Sequence, residues 1–330
     1  MVAALQPFGL DSQPAPLPLS AASPREALLD FAAATEANFS GLFDALLTGL
    51  PAVDGVSRQI ITVTGEDAND ISLHLHRPSG RTGDATSPCV VHFHGGGGAI
   101  LSAADVCYER WRDELAAQGA VVVGVEFRNA AGKLGRHPFP AGLNDCATAT
   151  KWVIEHRAEL GADAVVVSGE SGGGNLALAI ALKARREEWK DRPDGVYACA
   201  PMIASPWDKP VDLPSQREND GYLISCALLS IRGALYDPLA AHATDALCWP
   251  YHASDTELRG LPPHVISVNE LDPLRDEGLG YWRRLVGNGV SAVGRTVAGT
   301  VHAGDVFFRA ALPDVYAATI RDIHGFARQL

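Results

Sequence analysis

The chain runs to 330 residues, 47% of them hydrophobic, which is longer than a typical single domain and enough to fill a large core, so one main domain with a modest appendage is the natural count. Its formal net charge is −12 with no basic stripe, and that excludes a role in binding nucleic acid or anionic membrane surfaces. Six cysteines, Cys89, Cys107, Cys146, Cys199, Cys226 and Cys248, are scattered without C-x-x-C pairs or zinc-type histidine spacing, so most are expected to be buried thiols.

In chain order, Met1 to Ser20 lacks a basic n-region and is broken by Pro7, Pro14, Pro16 and Pro18, so neither a secretory signal nor a membrane span is read there and a cytoplasmic location is the default expectation. Ser23-Pro24-Arg25-Glu26 reads as a capping box with proline at the first helical position, launching an amphipathic helix through Leu28, Leu29, Phe39, Leu42, Phe43 and Leu46. Two strand-like runs at 60–64 and 71–76, separated by Gly65 to Asp70, predict a hairpin that begins a sheet. Strands at 89–93, 121–126, 164–168, 195–200, 264–268 and 291–298 then mostly alternate with helical patterns, which predicts an α/β fold with a largely parallel, eight-stranded sheet and helices on both faces.

Three loops after these strands carry chemistry. The run 90–93 ends in His94-Gly95-Gly96-Gly97-Gly98, where the backbone can approach a ligand without Cβ interference; H-G-G-G is the form that supplies one side of an oxyanion hole. Gly169-Glu170-Ser171-Gly172-Gly173 follows the apolar run 164–167 and precedes a helical pattern from Asn175 to Ile180. A Gly-x-Ser-x-Gly between strand and helix forces a sharp turn that lifts the serine hydroxyl clear of its sheet, and Gly172 would supply the second oxyanion donor. An acid and then a histidine should follow on loops after later strands. Asp272, after strand 264–268, is favoured over Glu270 and Asp276, and His302, in a Gly-flanked loop after strand 291–298, is favoured over His324 and His264. The alternation lapses between about Ser205 and Tyr251, where Pro206, Pro210 and Pro214 precede a helical pattern through Tyr222, Leu223, Leu228, Leu229 and Leu235. An insertion this long reads as a lid. Trp207, Tyr222, Trp249 and Tyr251 either line a pocket beneath it or form its core, the second reading being favoured.

Taken together, H-G-G-G at 94–97, G-E-S-G-G-G at 169–174, L-D-P-L-R-D-E-G at 271–278 and V-H at 301–302 resemble the hormone-sensitive-lipase family of α/β-hydrolases. The resemblance implies an α/β-hydrolase fold with a helical cap: N-terminal helices in 1–50, core in 51–204 and 252–330, cap insertion in 205–251. It implies Ser171 as nucleophile, His302 as general base, Asp272 as its orienting acid, and the NH groups of Gly96, Gly97 and Gly172 as oxyanion donors. Glu170 and Gly172 stand where most of that family carries aspartate and alanine. The expected activity is hydrolysis of small to medium carboxylic esters, with macrocyclic lactones open to the same chemistry. No metal or organic cofactor is expected; the expected partner is a small-molecule ester, with no nucleic acid and no membrane, and a homodimer is the candidate assembly. Two alternatives stand beside this reading: an acyltransferase using the same acyl-enzyme, and a non-catalytic small-molecule receptor, against which His302 argues.

Overall fold

The computed structural model describes residues 2–6, 10, 16–80, 86–207 and 213–330; Pro7, Pro14 and Pro210 of the readings above lie outside the described residues. Eight strands form one sheet: β1 (Val56–Thr64), β2 (Asp70–Pro78), β3 (Ser87–Phe93), β4 (Val121–Glu126), β5 (Ala162–Glu170), β6 (Gly195–Cys199), β7 (His264–Leu271) and β8 (Ala292–Val301), in the spatial order β1-β2-β4-β3-β5-β6-β7-β8. β2 runs antiparallel to β1 and β4, and every other pair is parallel. This is the architecture expected from the alternation of strand and helix patterns.

Because successive side chains of a strand point to opposite faces, the apolar runs divide between two cores. Val91, Val123, Val165 and Val167 pack under the helices Ala141–Glu155 and Gly172–Arg186. Val90, Val122 and Val166 pack on the other side with Trp111 and Leu115 of helix Val106–Ala117 and with Tyr316 and Ile320 of helix Pro313–Ala327. Each such buried aliphatic side chain stabilises the fold by roughly 1.5–3 kcal/mol. All six cysteines are buried and free.

A third apolar cluster sits beyond the carboxyl ends of the strands. There Leu28, Leu29 and Phe43 of helix Arg25–Leu47 meet Leu229 and Leu235 of helix Cys226–Tyr236, together with Leu101, Tyr108 and Trp249. Trp207 and Trp249 pack edge to face at 5.4 Å inside it and are almost fully buried, so they are core residues of this layer, whereas Tyr222 is exposed. Two local expectations need correction. The Ser23 hydroxyl accepts from the Ser20 backbone NH, and Pro24 stands at the N-cap with no side-chain cap bond, so no capping box forms. The hydroxyl is taken by the preceding turn, a local competition open to any serine near a helix start. In the insertion, a short helix Ser215–Glu218 ends before Tyr222, and Leu223 adopts φ 69°, so the helical pattern begins at Cys226 and not at Tyr222.

Candidate active site

The elbow forms where β5 ends. Ser171 has φ 57° and is the N-cap of helix Gly172–Arg186, a left-handed conformation that costs on the order of 1–3 kcal/mol for a residue with a Cβ. Backbone bonds hold it there: Ser171 NH donates to Cys199 O at 3.0 Å, and Met202 NH donates to Ser171 O at 3.1 Å. The flanking glycines are required by close approach of backbone. A Cβ on Gly173 would lie 1.9 Å from Phe93 O, and one on Gly169 would lie 2.5 Å from both Phe93 O and the Gly173 carbonyl.

The glycine loop after β3 runs directly against this turn. Gly96, Gly97 and Gly98 have φ of 101°, 69° and 66°, and a Cβ on Gly172 would come within 2.6 Å of Gly97 N, Gly97 Cα and Gly98 N. The two backbone segments expected to share an oxyanion hole are therefore in contact. Sequence reasoning did not foresee what fixes them. The Glu170 carboxylate, buried beside the serine, accepts from Gly95 NH at 2.6 Å and lies 3.0 Å from His92 Nε2. His94 stacks on Phe127 at 4.2 Å and is held near pH 3 by burial, so its ring is neutral and its Nδ1 lies 2.8 Å from Gly95 O. On the far side of the loop, Glu36 of helix Arg25–Leu47 accepts from Leu101 NH at 2.7 Å and from Lys133 NH at 2.8 Å.

His302 and Asp272 meet as expected. His302 Nδ1 lies 2.8 Å from Asp272 Oδ2, the carboxylate is fully buried, and its Oδ1 accepts from Leu274 NH at 2.9 Å. The alternatives are engaged elsewhere. Glu270 accepts from Gly299 NH, Asp276 pairs with Arg275, His264 lies 2.6 Å from Pro262 O, and His324 sits on helix Pro313–Ala327. The histidine loop is braced by Asn269 of β7, whose Oδ1 accepts from Ala303 NH at 2.9 Å while its Nδ2 donates to Thr300 Oγ1 and Asp305 Oδ1. The acid loop is tied to the insertion, because Asn219 Nδ2 donates to both Glu270 O and Asp272 O at 3.1 Å. An asparagine placed three residues before the acid, or one in a proline-rich insertion, has no sequence signature of its own.

Ser171 and His302 lie on the wall of one narrow cavity, which Phe39, Phe43, Phe307 and Phe308 also line. A larger apolar groove of about 760 Å³ borders it and shares Phe39, Leu42 and Leu223. Among the described residues no cluster of His, Cys, Asp or Glu is arranged to hold a metal ion, and no helix is long and apolar enough to cross a membrane.

Comparison with known proteins agrees with this architecture. A model of the alpha/beta hydrolase fold family matches residues 90–305. Esterase LipI of Mycobacterium tuberculosis is 32% identical over 260 residues, covering 78% of this chain and 77% of that protein. Carboxylesterase NlhH of the same organism is 34% identical over 248 residues, covering 74% of each chain. Among solved structures, brefeldin A esterase, described as a bacterial homologue of human hormone sensitive lipase, superposes with a TM-score of 0.95 at 46% identity, covering 99% of this chain and 92% of that one. Esterase Est22 superposes with a TM-score of 0.86 at 38% identity, covering 94% and 95%. With sheet order, elbow and glycine loop all in agreement, the chain belongs to the hormone-sensitive-lipase family of α/β-hydrolases.

Proposed function

We propose that the protein is a serine carboxylesterase that works by two-step acyl transfer on small to medium carboxylic esters. The observation that carries this reading is the 2.8 Å contact of His302 Nδ1 with Asp272 Oδ2, made on a histidine that shares a cavity wall with Ser171. With Nδ1–H donated to the carboxylate, Nε2 is the nitrogen free to take a proton. His302 removes the Ser171 proton as Oγ attacks the ester carbonyl, and buried Asp272 stabilises the imidazolium that forms. The NH groups of Gly96, Gly97 and Gly172 receive the oxyanion, aided by the positive end of helix Gly172–Arg186. The imidazolium then protonates the leaving alcohol, and water repeats the attack on the acyl-enzyme. The described residues within 1–50 and 205–251 act as the cap, and lactone ring opening needs no further machinery.

The test is Ser171→Ala on a short-chain aryl ester. Turnover is expected to fall by at least about 10³-fold with the fold retained by circular dichroism, and an organophosphate is expected to label the parent but not the variant. Equal rates for the two proteins would overturn the proposal, and a parent that binds esters without turning them over would favour the receptor.

A further inference from the structure

Arg232 lies on helix Cys226–Tyr236 and is 7% exposed. It lines the same cavity as Ser171 and His302. Its stem rests on the glycine loop, since a Cβ on Gly97 would lie 3.0 Å from Arg232 Cδ. Its guanidinium stands 5.1 Å from the centre of the Phe39 ring. Among the described residues no carboxylate pairs with it, and Nη2 is buried without a hydrogen-bond partner. Burial lowers it to about 10, so it remains a cation at neutral pH. Arg112, another fully buried arginine, also has one nitrogen, Nη1, without a partner, but it lines no part of this cavity and is held by donation from Nε to His76 Nε2 and from Nη2 to Ala103 O.

A second unpartnered donor stands in the same place. The Tyr108 hydroxyl is buried, has no hydrogen-bond partner, and lines the cavity. It is also near the glycine loop, at 3.1 Å from where a Gly95 Cβ would be. Burial pushes it well above the usual tyrosine range, so it stays protonated and able to donate. An isolated cation in a low-dielectric pocket is unfavourable unless an anion completes it, and guanidinium matches a carboxylate in shape and donor spacing. The carboxylates closest to the serine are already committed, Glu170 to Gly95 NH and Asp272 to His302.

We infer that Arg232 and Tyr108 form an anion subsite beside the reacting carbonyl, and that the preferred substrates are esters carrying a second, ionised carboxylate a few bonds from the scissile one. This inference rests on the esterase reading given above and adds to it a substrate class. Hydrolysis balances in the ordinary way: water adds, the acyl C–O bond breaks, and one proton is released as the new carboxylate forms, leaving a dicarboxylate and an alcohol when the second charge is on the acyl side, or a carboxylate and a hydroxycarboxylate when it is on the alcohol side.

The experiment compares kcat/KM for pairs with one skeleton, charged and capped. Monomethyl glutarate against dimethyl glutarate places the charge on the acyl side, and acetoxyacetate against its methyl ester places it on the alcohol side. The parent is expected to favour the charged member by about tenfold or more in at least one pair, because a buried donor left unpaired penalises the neutral analogue. Arg232→Met is expected to bring that ratio close to one, Arg232→Lys to keep part of it, and Tyr108→Phe to lower it. No preference in either pair, or a preference unmoved by all three variants, would overturn the inference. Calorimetry on Ser171→Ala and on Ser171→Ala with Arg232→Met, using monomethyl glutarate, separates the two readings. If the parent hydrolyses neutral esters with no charge preference, and Arg232 does not alter binding, the subsite fails and the esterase stands. If no ester is hydrolysed, the esterase reading fails, and binding that depends on Arg232 would still support the subsite.

Discussion

A Cβ placed on Gly173 would stand 1.9 Å from Phe93 O and 2.7 Å from His94 O, and both of these atoms are backbone, so no side-chain rotation relieves the overlap. Gly173→Ala must therefore drive the elbow helix away from the glycine loop. A shift of about 1 Å is enough to cost on the order of 10²-fold in turnover, so kcat on an aryl ester should fall by that much, together with a lower Tm. An alanine variant with the parent's kcat would mean that the two segments need not touch. The serine, acid and histidine positions were legible because each rests on a motif or on a place after a strand. Glu170 was visible only as the variable position of its motif, and its bond to Gly95 NH was not. Arg232 was illegible for a different reason: a charged residue in a helical pattern reads as solvated surface, and only the packing of two distant helices turns it inward.

At the scale of elements, the central strands were readable because β3 to β6 are buried on both faces and appear as continuous apolar runs. The edges were less so. β1 is exposed or half-buried throughout and β8 mostly so, neither showing a continuous apolar run, and both extend past the predicted ends, to Val56 and to Val301. The junction between β6 and the insertion depends on one acid of helix Arg275–Gly287. Glu277 accepts from Ile203 NH at 2.5 Å, Ala204 NH at 3.2 Å and Trp207 Nε1 at 2.8 Å. Burial outweighs these donors and, with the nearby Asp272 charge, pushes it up to about 8. Glu277→Gln keeps the shape but turns an amide NH₂ toward a donor. The loss should be about 1–3 kcal/mol, read as a lower urea midpoint, and an unchanged midpoint would show that the indole does not depend on this acceptor.

For the molecule as a whole, the buried histidines and Glu277 set opposite slopes in stability. Burial lowers His74 and His264 to about 4 and His94 to about 3, and His76 and His324 move in the same direction. Unfolding lets these rings take up protons, so their contribution is complete above the ordinary histidine value of about 6.5 and is lost as pH falls toward 4. Glu277 acts the other way: the folded state holds its proton longer, so its contribution is full below about 4.5 and is lost as pH rises to 8. Below 6.5 the several rings outnumber the two acids that burial raises, Glu277 and Glu126, whereas above it the rings are complete and Glu277 still titrates, joined toward pH 8.5 by the buried thiols, which burial also raises. Urea midpoints measured from pH 4.5 to 8.5 should therefore peak near pH 6.5, and a profile that keeps rising to pH 8 would contradict the assigned directions. The chain's broad organisation was legible because alternation of strand and helix leaves few topologies; how helix Arg25–Leu47 engages the loop after β3 was not, since it depends on a contact between Glu36 and Leu101, 65 positions apart. That contact joins helix Arg25–Leu47 to the end of the glycine loop. If helix Arg25–Leu47 swings outward, it withdraws an acceptor from Leu101, which is held at φ 76°, and from Lys133, and so loosens the segment carrying Gly96 and Gly97. The Glu36 latch thus ties the position of helix Arg25–Leu47 to the set of the glycine loop, and helix Cys226–Tyr236 bears on the same loop through Arg232 against Gly97 and Tyr236 against Gly98.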